Sequence, residues 1–185
     1  MSFAQAVVQY CAPTLAGIKT GNIFSIQNGS SDILGEIRRL NACFTKKGVR
    51  IIPIRKTEKK TLIYIYRPER LKADLNVPEA ADILKEKGYC LGNPDTCLVQ
   101  LVRHLAADQN FPHEIGLFLG YPPSDVKCFM ENSREGVKCT GCWKAYSNPE
   151  KAEETFEKYR KCTAVYCREA KKGRKLETMV VKTGL

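Results

Sequence analysis

The stretch VRIIPIRKTEKKTLIYIY, residues 49–66, decides the fold. Residues 49–55 and 61–66 are rich in β-branched and aromatic side chains, and the polar residues 56–60 form a turn between them. The two runs therefore predict a β-hairpin. Pro53 cannot donate a ladder hydrogen bond, which favours an edge position for the first strand. Because both runs carry apolar residues on both faces, we expect helices to cover part of each side of the sheet.

The sequence before this hairpin predicts extended structure and then a helix. Residues 11–26 combine small, β-branched and turn-forming residues, with Pro13 among them, and this mixture favours extended structure with bends. Asp32 offers an N-cap to a following helix, whose apolar residues keep helical spacing until Gly48.

Helical patterns dominate the sequence after the hairpin. Helices are predicted to begin near Pro78, Asp95 and Pro149, because proline suits the first helical turn and aspartate caps it. Two short helices are predicted within residues 111–132, and a short final strand within residues 176–181. Since strands come early and helices late, the order of elements predicts an α+β fold. It has a small sheet that includes the hairpin, helices covering that sheet, and a helix-rich C-terminal half.

Length and composition are typical of a globular protein. The chain has 185 residues, of which 43% are hydrophobic and 27% are charged, so it can bury a sizeable core without disulfides or metals. We expect a single α+β domain over residues 1–185, with residues 133–185 forming a basic, Cys-containing C-terminal subregion. The sequence has no apolar run of about 18 residues, so no membrane insertion is predicted. Its start lacks the charge and the apolar run of a secretory signal.

The chain contains nine cysteines. An odd number without an export signal argues against a disulfide framework, and predicts a reducing, cytoplasmic location. Free cysteine is among the residue types most often buried. Core packing is therefore expected where cysteines lie on or beside apolar patterns, namely at Cys43, Cys90, Cys97 and Cys128.

The motif Cys139-Thr140-Gly141-Cys142 is the clearest candidate metal site. Two thiolates at this spacing can converge on one metal, and Gly141 permits a tight turn between them. The candidates for the remaining ligands are Cys162 and Cys167, and the cofactor would be zinc or an iron–sulfur cluster. A five-residue step on a continuous helix rotates about 140°, which argues against these two sharing a metal. A redox dithiol of Cys139 and Cys142, or plain packing, remains the alternative.

Cys11 is the candidate nucleophile. The predicted extended chain around it, with Pro13 close by, would leave the thiol accessible. Lys19 or a histidine could then lower its pKa, and His113 is the histidine retained as a candidate catalytic residue. The alternative is a buried cysteine at the start of a core strand.

Positive charge is concentrated near the end of a chain whose net charge is +10. Residues 158–175 contain a single acid, Glu169. Their eight basic residues are the candidate partner-binding residues: Lys158, Arg160, Lys161, Arg168, Lys171, Lys172, Arg174 and Lys175. Such a surface suits an acidic protein or another anionic partner, although a solvated helix end explains the same charges. Arg67 and Arg70, flanking Pro68, form a weaker candidate anion site.

Residues 114–132 have the outline of a helix-turn-helix, which raises nucleic acid as a further partner. The second helix, however, carries Asp125 and Glu131 against Lys127 alone. A recognition helix needs hydrogen-bond donors and a positive face near phosphate, so nucleic acid is the weaker prediction.

Several strings together resemble one known family. They are CAPTLAGIKTGNIF from Cys11, YIYRPERL from Tyr64, FPHEIGLFLGYPPSDV from Phe111, KCTGCWKAY from Lys138 and KYRKCTAVYC from Lys158. The sequence resembles the bacterial family catalogued as domain of unknown function 3793. The resemblance implies a cytoplasmic protein of anaerobic Gram-positive bacteria, where exposed thiols survive and metal or redox chemistry is feasible. It implies no activity and no catalytic residues.

The leading functional hypothesis is a cytoplasmic, thiol-rich, basic binding protein that is linked to a metal or to redox chemistry and docks an acidic partner such as an electron carrier. It accounts for both the Cys-x-x-Cys pair and the basic segment. The alternatives are a nucleic-acid-binding module that uses the helix-turn-helix-like segment, and a thiol-dependent enzyme that uses Cys11. Whether the protein is an enzyme is left open.

Overall fold

The computed structural model describes residues 1–29, 32–107, 111–132 and 135–182. Its helices are α1 (Phe3–Leu15), α2 (Ile33–Phe44), α3 (Pro68–Leu75), α4 (Pro78–Glu86), α5 (Pro94–Ala107), α6 (Ile115–Phe118), α7 (Pro123–Glu131), α8 (Pro149–Lys171) and α9 (Leu176–Met179), with a 3-10 turn at Thr45–Lys47. Its strands are β1 (Gly21–Gln27), β2 (Arg50–Lys56), β3 (Lys60–Tyr66), β4 (Cys139–Thr140) and β5 (Lys144–Ala145).

The described residues fall into two compact units. The first unit comprises those of Met1–Glu69 and Lys161–Leu185, and the second comprises those of Arg70–Arg160. Helix α8 contributes to both units. The α+β class is confirmed, with a small antiparallel sheet and a helical C-terminal half. The single domain over residues 1–185 stays a prediction.

The predicted hairpin forms the sheet of the first unit. Strands β2 and β3 pair antiparallel, and β1 pairs with the other side of β3, so the strand order is β1-β3-β2. Pro53 lies on the edge strand β2, as expected, and the register shifts between Pro53 and Arg55. On the central strand Ile63, Tyr64 and Ile65 are buried, because central strands lose solvent contact at both edges and both faces.

The predicted extended structure over residues 11–26 is wrong at its beginning. Helix α1 runs to Leu15 and carries Pro13 in its last turn, and only β1 is extended. A capping box at Ser2 and Gln5 starts the helix, where each side chain bonds the other residue's backbone N–H. The buried side chains of α1 keep helical spacing, and this burial outweighs the backbone bond that Pro13 cannot donate.

The predicted final strand over residues 176–181 is also wrong. These residues begin with the one-turn helix α9, whose Leu176 and Met179 are buried in the first unit together with Val180. The i, i+3 spacing places both side chains on one side of a helical turn. The backbone N–H of Val181 then donates to the carbonyl oxygen of Leu15 at 3.0 Å.

The core of the first unit is formed by apolar side chains of α1, α2, the sheet and α9. Among its members are Phe3, Val7, Cys11, Leu15, Phe24, Leu40, Phe44, Ile51, Ile63, Ile65 and Met179. Tyr166, Cys167 and Ala170 of α8 pack against this cluster.

Arg67 lies at the centre of the first unit with 1% of its surface exposed. Its Nε donates to the carbonyl oxygen of Thr14 at 2.7 Å, and its Nη2 donates to those of Leu15 and Val181, each at 2.8 Å. The Nη1 group reaches the carbonyl oxygen of Lys47 at 3.4 Å. Backbone carbonyls therefore hold this cation inside the protein, so Arg67 is unsuited to the anion binding suggested for it beside Pro68.

The helices of the second unit match the sequence pattern. Helix α4 begins at Pro78, and Gly88 follows it with a φ of +79°, the left-handed conformation that glycine adopts without strain. Helix α5 begins at Pro94, one residue before the proposed cap, and α8 begins at Pro149 as predicted. Within the described ranges, no helix combines the length and apolar character needed to cross a membrane.

Replacing Arg67 with Met should destabilise the protein strongly. Carbonyl oxygens at the end of α1 would lose a charged donor while staying buried, which costs about 3 kcal/mol or more. Urea unfolding followed by circular dichroism measures this change. Arg38→Met, on the exposed face of α2, is the matched control and should change stability by less than about 0.5 kcal/mol. Equal effects of the two substitutions would contradict the role assigned to Arg67.

Candidate functional site

The Cys-x-x-Cys motif forms a tight two-stranded hairpin just before α8. Strands β4 and β5 pair antiparallel, and the N–H of Gly141 donates to the carbonyl oxygen of Trp143 at 3.0 Å. A Cβ at position 141 would overlap the ring of Phe156 from α8. The Trp143 ring meets the same Phe156 ring edge-on, with centroids 4.5 Å apart. The glycine is therefore required by packing against an aromatic ring.

Asp125, at the start of α7, holds this hairpin in place although only 3% of it is exposed. Its Oδ2 accepts from Trp143 Nε1 at 2.8 Å. Its Oδ1 accepts from the N–H groups of Tyr146 and Ser147, each at 3.0 Å, and from Ser147 Oγ at 2.9 Å. Burial alone would raise the pKa of Asp125, but these hydrogen bonds favour the carboxylate and together lower the pKa.

The two thiols of the motif have different surroundings. Cys139 is half-buried, and its Sγ lies 3.8 Å from the carbonyl oxygen of Pro149, to which the thiol donates. Desolvation raises the pKa of Cys139, and the nearby carboxylates of Glu153, Asp125 and Glu150 add to this effect. Cys142 is exposed at the turn. The more reactive position of the pair is therefore Cys142, because thiolates are the reactive form and need access.

The predicted four-cysteine metal site finds no support among the described residues. No group of three or more His, Cys, Asp or Glu side chains there is arranged to hold a metal ion. Cys162 and Cys167 are half-buried on α8, which continues between them without a break. They therefore point to different sides of the helix, about 140° apart. Cys167 packs against the core of the first unit instead.

The accessible thiol predicted at Cys11 is wrong. Cys11 lies inside α1 with 0% of its surface exposed. Burial raises the pKa of its thiol strongly, and the charge of Lys19 offsets only a small part of this. Lys19 itself donates to the carbonyl oxygen of Gly21. A neutral, buried thiol is unsuited to nucleophilic attack.

The second catalytic candidate, His113, is exposed and meets the ring of Phe129 edge-on, with the ring centroids 4.9 Å apart, in the second unit.

All eight predicted partner-binding residues are exposed. Lys158 and Arg160 belong to the second unit, and the other six belong to the first. We call those six the basic surface: Lys161, Arg168, Lys171 and Lys172 of α8, followed by Arg174 and Lys175. Glu169 lies 3.0 Å from Lys172 Nζ and 4.0 Å from Arg168 Nε, and these cations lower its pKa.

A cluster of polar side chains that no sequence motif indicated lies around Glu114 in the second unit. This glutamate is 5% exposed, and its Oε1 accepts from the Tyr89 hydroxyl at 3.0 Å. His104 Nδ1 lies 3.3 Å from the same oxygen, and the rings of His104 and Tyr89 meet edge-on at 4.9 Å. A carboxylate on Nδ1 fixes the orientation of an imidazole and leaves Nε2 for another partner. The sequence indicated this cluster only weakly, through the position of His104 one residue off the apolar stripe of α5.

Comparison with models of known families finds a match over residues 7–180, described as "Protein of unknown function (DUF3793)". The match covers nearly the whole chain. No curated protein and no solved structure shows a significant match.

Alkylation should distinguish the cysteines by exposure. The core packing expected at Cys43 and Cys90 is wrong, because both are exposed. With iodoacetamide at about pH 7.5, Cys43, Cys90 and the exposed Cys142 should react fast, and Cys11 at least about 100-fold more slowly. Mass spectrometry of peptides taken over time measures each rate, and the urea-unfolded protein is the control in which the differences should vanish. A native Cys11 that reacts as fast as Cys43 would restore it as a candidate nucleophile.

Asp125→Asn should weaken the protein in a pH-dependent manner. The folded pKa of Asp125 is lowered, so its carboxylate stabilises the fold above the unfolded pKa of about 3.9, and this stabilisation is lost as the pH falls through the folded value. We expect the free energy of unfolding to fall by about 2 kcal/mol at neutral pH. This difference from the wild type should become smaller as the pH falls to about 3. Urea unfolding monitored by Trp143, the single tryptophan, measures it. Asp82→Asn, at an exposed position of α4, is the control, and a pH-independent loss in Asp125→Asn would contradict the assignment.

Proposed function

The chain belongs to the DUF3793 family, whose function is unknown, and we propose that this protein binds an acidic partner protein through the basic surface. The observation that carries the proposal is the exposure of all six cations of that surface, opposed within residues 158–175 by Glu169 alone. Because Glu169 already lies against Lys172 and Arg168, the local field stays positive. Such a field attracts acidic proteins and raises their association rate.

The shape of the exposed helix face also supports a protein partner. Lys161, Val165, Arg168 and Lys172 follow the i, i+4, i+7, i+11 pattern and therefore share one face of α8. Val165 is 44% exposed among these cations, and the small side chain of Ala164 is exposed beside it. An apolar centre with a charged rim is typical of a protein–protein interface, whereas a nucleic-acid surface is dominated by phosphate-binding cations.

Nucleic acid is the weaker alternative for the same surface. The first helix of the helix-turn-helix-like segment, α6, has four residues. In the second helix, Asp125 faces inward and binds the hairpin described above. The segment therefore lacks a long first helix and presents little positive charge for contact with a groove.

The proposal includes a cytoplasmic location and a redox link at Cys139 and Cys142. Reduction of a disulfide between Cys139 and Cys142 would break one Sγ–Sγ bond, taking two protons from solvent and two electrons, one from each of two reduced molecules of an acidic one-electron carrier such as a ferredoxin. The exposure of Cys142 supports this step. The large number of free cysteines in the described residues supports a reducing compartment. Acidic electron carriers are accordingly the first partners to test.

Reversing three charges of the basic surface should weaken partner binding. In the triple variant Lys161→Glu, Lys171→Glu and Lys172→Glu, affinity for a small acidic ferredoxin should fall by about tenfold or more at about 20 mM salt. Wild-type affinity should decrease steeply towards about 300 mM salt, and the variant should show a flatter dependence. Biolayer interferometry with immobilised ferredoxin measures both.

The matched control reverses three exposed lysines of the β2–β3 turn region, Lys56, Lys59 and Lys60, which changes net charge equally. This control should retain most of the affinity. If both triple variants bind equally weakly, net charge alone governs binding and the proposed surface is wrong. Tighter binding of the wild type to duplex DNA than to ferredoxin at about 150 mM salt would favour the nucleic-acid alternative.

A further inference from the structure

The second unit contains two adjoining cavities that the proposed docking function does not use. The larger has a volume of about 530 Å³ and the smaller about 200 Å³. Phe111 and His113 line both cavities, so the two spaces are neighbours that share these side chains as walls. The larger cavity falls in the ~300–1,000 Å³ range of small-molecule sites, and the smaller extends it.

The two cavities differ in chemistry. The larger is lined by Lys87, His104, His113 and Glu114, which provide one ammonium group, two imidazoles and one carboxylate. The smaller is lined mainly by apolar and aromatic side chains, namely Ile115, Tyr121, Val126, Phe129 and Trp143. Their arrangement thus joins a polar space to an aromatic one, as expected of a site for an amphipathic small molecule.

The carboxylates of this region are already bound by protein donors. Glu114 accepts from Tyr89 and lies against His104, and Asp125, on the wall of the smaller cavity, accepts from Trp143, Tyr146 and Ser147. The ammonium group of Lys87 differs from these carboxylates. Within the described part of the chain, Lys87 forms no ion pair with a carboxylate.

Lys144 Nζ, on the wall of the smaller cavity, lies 5.4 Å from the centre of the Phe129 ring. The two lysines and two carboxylates that line the cavities cancel in formal charge, so the preference for an anion comes from Lys87, which is exposed, whereas Glu114 and Asp125 are buried against their own hydrogen-bond donors.

We propose that the two cavities form one binding site for a small organic anion with an aromatic body. The anionic group lies in the larger cavity beside Lys87, His104 and His113, and the aromatic body lies in the smaller cavity against Tyr121, Phe129 and Trp143. Glu114 lies against Nδ1 of His104 and so fixes the orientation of the imidazole, with Nε2 left for another partner. This site is independent of the basic surface, which belongs to the first unit.

Trp143 provides a direct readout, because it is the single tryptophan of the chain and lines the aromatic cavity. Hydrocinnamate, an aromatic carboxylate, is the probe, and its neutral amide, hydrocinnamide, tests the charge. Hydrocinnamate should change the Trp143 emission in a saturable manner, and the amide should bind at least about tenfold more weakly. Isothermal titration calorimetry provides the second measurement of affinity.

Lys87→Met tests the anion-binding part and should weaken hydrocinnamate binding by about fivefold or more while leaving binding of the amide unchanged. Lys85→Met is the matched control, since Lys85 is exposed in the last turn of α4, two residues before Lys87, and does not line the cavity. Both positions are exposed, so both variants should fold as the wild type does. His113→Gln, at the junction of the two cavities, should weaken binding of both probes.

Three outcomes would overturn the proposal. They are the absence of saturable hydrocinnamate binding up to about 10 mM, equal affinities for the acid and the amide, and equal losses in Lys87→Met and Lys85→Met. Failure of the docking experiment with ferredoxin would leave these measurements unaffected, because they concern different residues.

Discussion

The first unit depends on the buried guanidinium of Arg67. One side chain satisfies carbonyl oxygens of Thr14, Leu15, Lys47 and Val181, which come from three distant parts of the sequence. The last carbonyls of a helix lack intrahelical partners and carry partial negative charge, so a cation at the end of α1 is favourable there. Because a buried charge is costly unless it is fully hydrogen-bonded, the three segments have to meet around this group.

The exposure of the basic surface follows from the way α8 is attached to this unit. Tyr166, Cys167 and Ala170 pack against the core, and the Tyr166 hydroxyl donates to the carbonyl oxygen of Met179 at 2.9 Å. Helix geometry then directs the opposite face, with its lysines and arginines, to solvent. The carboxylate of Glu177 in α9 forms an ion pair with Arg39 of α2. The apolar face thus fixes the helix, and the charged face stays available.

In the second unit, two buried carboxylates organise the places where chemistry could occur. Asp125 holds the Cys139–Cys142 hairpin through four donors, and Glu114 holds Tyr89 and His104. Both are satisfied by neighbours and so act as fixed anchors for other side chains. The Cys-x-x-Cys hairpin is consequently defined by packing on Phe156 and by Asp125, whereas the Glu114 cluster opens into a cavity.

The sequence by itself determined the elements whose signals are local. The β2–β3 hairpin follows from two β-rich runs around a polar turn, α4 and α8 follow from proline starts and helical spacing, and the exposure of the basic residues follows from their alternation with the apolar stripe of α8. Each signal acts over a few residues. Propensity and periodicity therefore suffice to predict these features.

Only the tertiary structure decided the environment of Cys11, the final helical turn α9, and the roles of Arg67, Asp125 and Glu114. Residues 11–15 are helical because a cap at Ser2 and burial against the sheet outweigh Pro13. The partners of Arg67 lie 20, 52, 53 and 114 positions away in sequence, and those of Asp125 lie 18 to 22 positions away. Burial and long-range hydrogen bonding depend on which residues the fold brings next to a side chain. The pattern of residues adjacent in sequence does not specify these neighbours.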